Sequence, residues 1–165
     1  MAVRPIVPHN DPRLRQPAQP VTTFDDALQA LAADLVDTLR DAEALGITAC
    51  HVGVPQRLVV IQLGDATTTR VYVNPVVVST SAQTARHEEG SVSMPGVTEM
   101  VERPARVRID YVDLQGRPQT EEAEGLLAVC HLHEIDQLDG IFWTDRLSRL
   151  KRDRLIARYN KLRRG

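Results

Sequence analysis

The chain has 165 residues, 42% hydrophobic and 25% charged, with a formal net charge of −2. That length fits a single domain, residues 1–165, able to bury a core without disulfide or metal staples, and the slight acidity excludes polyanion binding by the molecule as a whole. With no apolar run long enough for a signal peptide or membrane span, and only Cys50 and Cys130 as thiols, a reduced cytoplasmic protein that binds neither membrane nor DNA is expected.

The first 21 residues carry Pro5, Pro8, Pro12, Pro17 and Pro20, each removing a backbone donor and restricting its neighbour, so they predict an extended arm that wraps the domain. Thr23 and Asp26 resemble a capping box, and Phe24, Leu28, Leu31, Leu35 and Leu39 recur at helical spacing; a first amphipathic helix is expected through Ala44. Gly46 ends it, and Gly46–Pro55 reads as a small-residue loop feeding the strand Leu58–Ile61. Val71–Val73 and Val76–Val78 make a strand broken at Asn74-Pro75, because Pro75 cannot donate to a ladder. His87–Gly96 reads as a second loop, and the alternation from Arg106 to Leu114 marks a half-buried strand ending at the Gln115-Gly116 turn. Connections this short favour antiparallel pairing.

From Glu124 the spacing turns helical, with Leu127, Cys130, His133, Glu134 and Gln137 near one face and Gly140 as the stop. His131 lies two residues, about 200° of rotation, from His133 and cannot share a site with it, so a surface or packing role is expected. A last helix over Arg146–Arg164 places Leu147, Leu150, Leu155, Ile156, Tyr159 and Leu162 on its packing side and nine Arg and Lys residues elsewhere, against Asp153 alone. Local asymmetry of this kind suits RNA phosphates, while a solvated charged face is the ordinary alternative.

His133-Glu134-Ile135-Asp136-Gln137 stops one residue short of H-E-x-x-H, in which two imidazoles at i and i+4 hold zinc and the Glu acts as general base. Taken with the Gly46 loop and Glu89-Gly90-Ser91-Val92-Ser93, this ordered set resembles the three signature motifs of the peptide deformylases. The resemblance runs from Asp11-Pro12-Arg13-Leu14-Arg15 to Asp145-Arg146-Leu147-Ser148. It implies an α+β fold in which short antiparallel sheets pack around a central helix carrying the H-E-x-D motif, followed by a C-terminal helix. It also implies removal of the formyl group from N-terminal formyl-methionine, with Fe or Zn held by one Cys and two His.

Carried over residue by residue, the family's thiolate ligand is Ser91 here, one imidazole is Gln137, and the Gln that assists the oxyanion is His51. His133 keeps its ligand position and Glu134 that of the general base. Gly46, Gly90 and Arg103 fall where the family meets substrate, although solvation is the default for an arginine, and the Val92 N–H is a candidate oxyanion donor. A hydroxyl and an amide favour hard cations at best, so the expectation is no metal or a weakly bound divalent one, and weak or absent deformylation. Two alternatives stay open: a rearranged metal site of His51 and His133 completed by Gln137, Ser91 or Cys130, and a metal-free Ser91–His133 pair. Two zinc ligands at about 2.3 and 2.1 Å lie roughly 3.6 Å apart, which keeps that second pair close. The plainer expectation is that Ser91 fills space and hydrogen-bonds Gln137, and that Cys130 packs in the core. N-terminal peptides or a formyl-Met-like ligand are the implied partners, with a ribosome contact through the basic C-terminal helix.

Overall fold

A computed structural model describes residues 2–165. The arm is extended apart from one 3-10 turn at Pro12–Arg15, capped by the Asp11 carboxylate. It is tied down by main-chain bonds: Val7 N–H to His51 O at 2.9 Å, His9 N–H to Ser93 O at 2.8 Å and Ala18 N–H to Leu138 O at 2.7 Å. These bonds join it to three segments that carry candidate site residues, and Leu14, wholly buried, anchors it in the core.

Helix α1 spans Asp26–Asp41 and is capped by Asp25, which accepts the Leu28 N–H at 3.0 Å, instead of by Thr23. Phe24 therefore lies outside the helix and is 37% exposed, whereas Leu28, Leu31, Leu35 and Leu39 form the expected buried stripe. That stripe packs on Ile47, Leu58, Val60 and Val73 of the main sheet. The sheet is antiparallel, ordered β1 (Gly46–Thr48), β2 (Leu58–Ile61), β3 (Arg70–Thr80), β6 (Arg106–Val112) and β7 (Pro118–Glu124). Part of the expected loop after α1 is thus strand β1, followed by a 3-10 turn at Ala49–Val52.

The break in β3 falls where Pro75 requires it, as a register shift between Val73 and Val76 with Asn74 at φ +51°. Asn74 is fixed there by its amide, which exchanges hydrogen bonds with the Val21 backbone at 2.8 and 2.9 Å.

The expected second loop is instead a two-stranded sheet of β4 (Thr84–Ser91) and β5 (Met94–Pro104). Helix α2, Gly125–Leu138, packs on β1, β3, β6 and β7, and ten of its fourteen residues are buried. Gly140 stops it at φ +80°, and a Cβ there would lie 2.5 Å from the Arg15 carbonyl oxygen, so only glycine lets the arm pass. His131 is a packing residue, stacked edge-on against Tyr72 and hydrogen-bonded to Glu121.

Helix α3 covers Arg149–Arg164, with Ser148 as N-cap; Trp143–Arg146 forms a separate 3-10 turn. Leu155 and Tyr159 pack on Met94, Val97, Val101, Phe142 and Trp143. Leu150 and Leu162, expected on the packing side, are instead 60% and 59% exposed, toward the two ends of the helix. Among the described residues no helix is long and apolar enough to cross a membrane.

Candidate functional site

Four elements converge on one cleft of about 420 Å³. Gly46 opens β1, His51 lies in the turn after it, Glu89 to Val92 come from the β4–β5 hairpin, and Cys130, His133 and Glu134 from α2. A Cβ at Gly46 would stand 2.7 Å from Glu134 Oε2, so this glycine lets β1 lie against the carboxylate. Gly90 serves the hairpin similarly, since a Cβ there would come within 3.2 Å of the Val97 carbonyl oxygen.

A chain of buried charges organises the floor. His133 Nδ1 lies 2.8 Å from Glu89 Oε1, and Glu89 also accepts from Arg103 Nε at 2.6 Å and Nη2 at 3.0 Å. Arg103 Nη1 reaches Asp136 at 2.9 Å, and Asp136 in turn accepts from Arg146 at 2.9 and 2.7 Å. Burial alone would raise the Glu89 carboxyl, yet the hydrogen bonds from His133 and Arg103 overcome it and hold Glu89 below the usual carboxylate range. An ionised carboxylate only accepts, so His133 carries a proton on Nδ1.

Arg103 thus departs from the expected solvated arginine: it is 5% exposed and spans Glu89 and Asp136, behind the residues that line the cleft. Glu134 is 4% exposed, with Oε1 lacking a hydrogen-bond partner, and burial pushes its carboxyl up, opposed by His133 and helped by Glu89. His51 is 1% exposed and neutral, lowered to about 3 by burial and by His133. Its Nδ1 accepts the Thr48 N–H at 3.0 Å, while its Nε2 has no hydrogen-bond partner.

Ser91 and Gln137 do not bond each other as expected. Ser91 Oγ accepts the Ser93 N–H at 3.1 Å, and Gln137 Nε2 donates to the Leu14 carbonyl at 2.7 Å, tying α2 to the arm. Cys130 packs in a hydrophobic cluster, its thiol pushed up to about 12 by burial first and then by Glu134 and Glu89. Val92 lines the cleft and packs against the α1 cluster. Among the described residues, no three His, Cys, Asp or Glu side chains are grouped so as to hold a metal ion. Sequence reasoning missed Thr48 and the ion-pairing of Glu89 and Asp136; the Thr48-x-x-His51 spacing, a capping-box variant, was the available signal for the first.

This pairing of a motif-bearing helix with a hairpin and a glycine strand is matched by known proteins. The polypeptide deformylase profile fits residues 3–153. The chain belongs to the polypeptide deformylase family. A peptide deformylase-like protein of Brucella melitensis is 60% identical over 99% of this chain and 100% of its own. A peptide deformylase of Brucella suis is 44% identical over 98% and 94%. Among solved structures, a peptide deformylase from Legionella pneumophila superposes with a TM-score of 0.94 at 41% identity, covering 99% of this chain and 96% of that one. The deformylase of Synechococcus elongatus, solved in complex with actinonin, superposes at 0.92 with 35% identity, covering 95% and 88%. The mixed helix-and-sheet architecture with its C-terminal helix is therefore the deformylase fold.

Proposed function

We propose that this deformylase-fold protein engages the N-terminal ends of nascent peptides, formyl-methionine among them, in the cytoplasm, and hydrolyses the formyl group weakly or not at all. The observation that carries this reading is the state of the two side chains at the family's remaining ligand positions. Ser91 and Gln137 are neutral, and each is engaged with main chain: the serine by the Ser93 N–H, the glutamine by the Leu14 carbonyl. A catalytic zinc site takes three protein donors and an open position. His133 suits one of them, while a hydroxyl and an amide replace the anionic thiolate and the second imidazole, so this donor set does not fit iron or zinc. Without an ion to lower it, the pKa of a water beside Glu134 stays far above neutral and the base has little to work on. The test is an N-formyl-Met-Ala-Ser assay that follows binding and formate release together. Binding with release near background is expected; rapid release would contradict it.

A metal-free Ser91–His133 pair has one observation in its favour, the Glu89 carboxylate on His133 Nδ1, which is how an orienting acid holds a catalytic base. Covalent labelling of Ser91 by a fluorophosphonate would establish it, and an unlabelled Ser91 would remove it. As a partner surface, we propose that the basic face of α3 contacts ribosomal RNA. Its support is the local excess of Arg and Lys on an exposed helix in a chain of net charge −2.

A further inference from the structure

The N-terminal arm meets α3 over two buried rings, Phe142 at the entry to the Trp143–Arg146 turn and Tyr159 of α3, and three basic side chains gather there. The His9 ring stands edge-on to Tyr159 with centroids 5.0 Å apart, and its centroid lies 6.5 Å from that of Phe142. Arg15 Cζ is 5.7 Å from the Phe142 centroid, and Arg163 Cζ is 5.8 Å from that of Tyr159. Each guanidinium therefore shares a ring with the His9 imidazole. Burial fixes the two rings, and a guanidinium stacked on a fixed ring is held in place while its N–H edge stays in solvent. His9 is pinned as well, its main-chain N–H bonding the Ser93 carbonyl at 2.8 Å.

The charges at this junction do not balance. The arm supplies Arg15, α3 supplies Arg163, and the turn supplies one carboxylate, Asp145. That carboxylate is already engaged, by Arg15 Nη1 and by the Phe142 N–H at 3.2 Å. Toward His9 the β5 side offers only the Ser93 carbonyl, and α3 adds only the Tyr159 ring. Arg163 has no carboxylate partner among the described residues, and the Arg15 side chain is 48% exposed. Burial first, then the charges of Arg15 and Arg163, hold the His9 imidazole below its ordinary value. Two stacked cations thus flank a half-buried imidazole that they keep from charging, an arrangement that an anion would complete.

We propose that His9, Arg15 and Arg163 form a phosphate-binding site at the junction of the arm and α3. A phosphate has oxygens enough for two guanidinium forks and an imidazole N–H, where a carboxylate has only two. Its negative charge also removes the repulsion on His9, so binding takes up a proton there. Reciprocally, a charged His9 grips phosphate more tightly. None of the three residues lines the cleft, so the site stands apart from the metal and from peptide binding. The phosphate of a small ester and that of an RNA backbone share this chemistry; only the RNA source rests on the reading of α3 given under Proposed function.

The experiment follows the intact chain, labelled with ring-15N histidine, by NMR across a pH titration, with the His9 signals assigned by their loss in His9→Gln. Sodium phosphate, glucose 6-phosphate and a short single-stranded RNA are the probes, and sodium chloride at matched ionic strength controls for screening. In chloride the His9 midpoint should lie below that of an ordinary histidine, and saturating phosphate should raise it. Arg163→Gln should raise the midpoint in chloride, because a cation is gone, and should weaken phosphate about tenfold, the loss of one charge-assisted hydrogen bond. Arg158→Gln makes the same charge change on the same helix, but Arg158 bonds the Thr98 carbonyl instead, so it should do neither. Both arginines are exposed, so neither substitution threatens the fold. RNA that moves the His9 signals at lower concentration than glucose 6-phosphate identifies the backbone as the source, and RNA that does not identifies a small ester. A His9 midpoint that no phosphate probe moves, a response that chloride reproduces, or equal phosphate binding by the Arg163 and Arg158 variants would each overturn the proposal. Failure of the α3 reading would appear separately, as ribosomes that do not co-sediment while phosphate still moves His9.

Discussion

Replacing Arg103 by Met removes the cation between a buried carboxylate, Glu89, and a half-buried one, Asp136. Arg103 is 5% exposed and makes charge-assisted bonds of 2.6 and 3.0 Å to Glu89 and 2.9 Å to Asp136. Its side-chain volume is roughly kept by Met, so the cost is electrostatic: Glu89, itself 5% exposed, keeps only His133, while Asp136 retains Arg146 at the surface. Stranding a buried charge by removing its partner costs about 3–5 kcal/mol, which in a domain of this size lowers the melting temperature by roughly 10 °C. Urea denaturation followed by circular dichroism measures it, with Arg146→Met as the exposed control, expected to cost about 0–1 kcal/mol. A charge-neutral companion, Arg103→Met with Glu89→Gln, should recover part of the loss. If Arg103→Met costs no more than the Arg146 control, the buried chain of charges is not what holds the hairpin to α2.

Acid should act through the same chain. Glu89 is held below its ordinary value when folded, so its contribution is present above the unfolded carboxylate pKa and is lost as pH falls through the folded one; Glu89→Gln should flatten the decline of stability below about pH 4.5, and an unchanged acid limb would refute this. Glu134→Gln should abolish whatever formate release the wild type retains, and activity surviving in that variant would direct attention to Ser91. Gly140→Ala forces a side chain to φ +80° against the Arg15 carbonyl; a loss of about 1–3 kcal/mol is expected, and a neutral effect would mean that the arm does not pass there. For α3, co-sedimentation with ribosomes should be seen at low salt, fall at moderate salt and disappear on truncation after Leu150; binding indifferent to truncation would exclude this helix.

Much of the scaffold was legible because burial leaves a period. The stripe Leu28, Leu31, Leu35 and Leu39 gave α1, the alternation from Arg106 to Val112 gave β6, and Gly140 marked the end of α2. The β4–β5 hairpin was not legible, since Glu88, Glu89 and Arg103 make it look like solvent-exposed loop; Glu89 and Arg103 are buried only because they neutralise each other. β7 escaped for a related reason, being a polar edge strand that opens with Pro118 and buries little besides Ala123. In the site, the resemblance to the three family motifs is what pointed to Gly46, His51, Glu89 to Val92, His133 and Glu134 as neighbours, and they line one cleft. Hydrogen-bond direction did not follow from type: that Thr48 donates to His51 and that Gln137 turns to Leu14 depends on where the β1 turn and the arm run.

Elemental analysis of the untagged chain, purified without oxygen or chelator, tests most directly the proposal that the cleft holds no metal. Less than a tenth of an equivalent of iron or zinc per chain is predicted, on the order of the loss expected when ligation itself is removed and not merely its surroundings. Ser91→Cys with Gln137→His, in the same folded scaffold, should then bind close to one equivalent. A wild-type chain that already carries a stoichiometric ion would contradict the proposal that Ser91 and Gln137 have emptied the site.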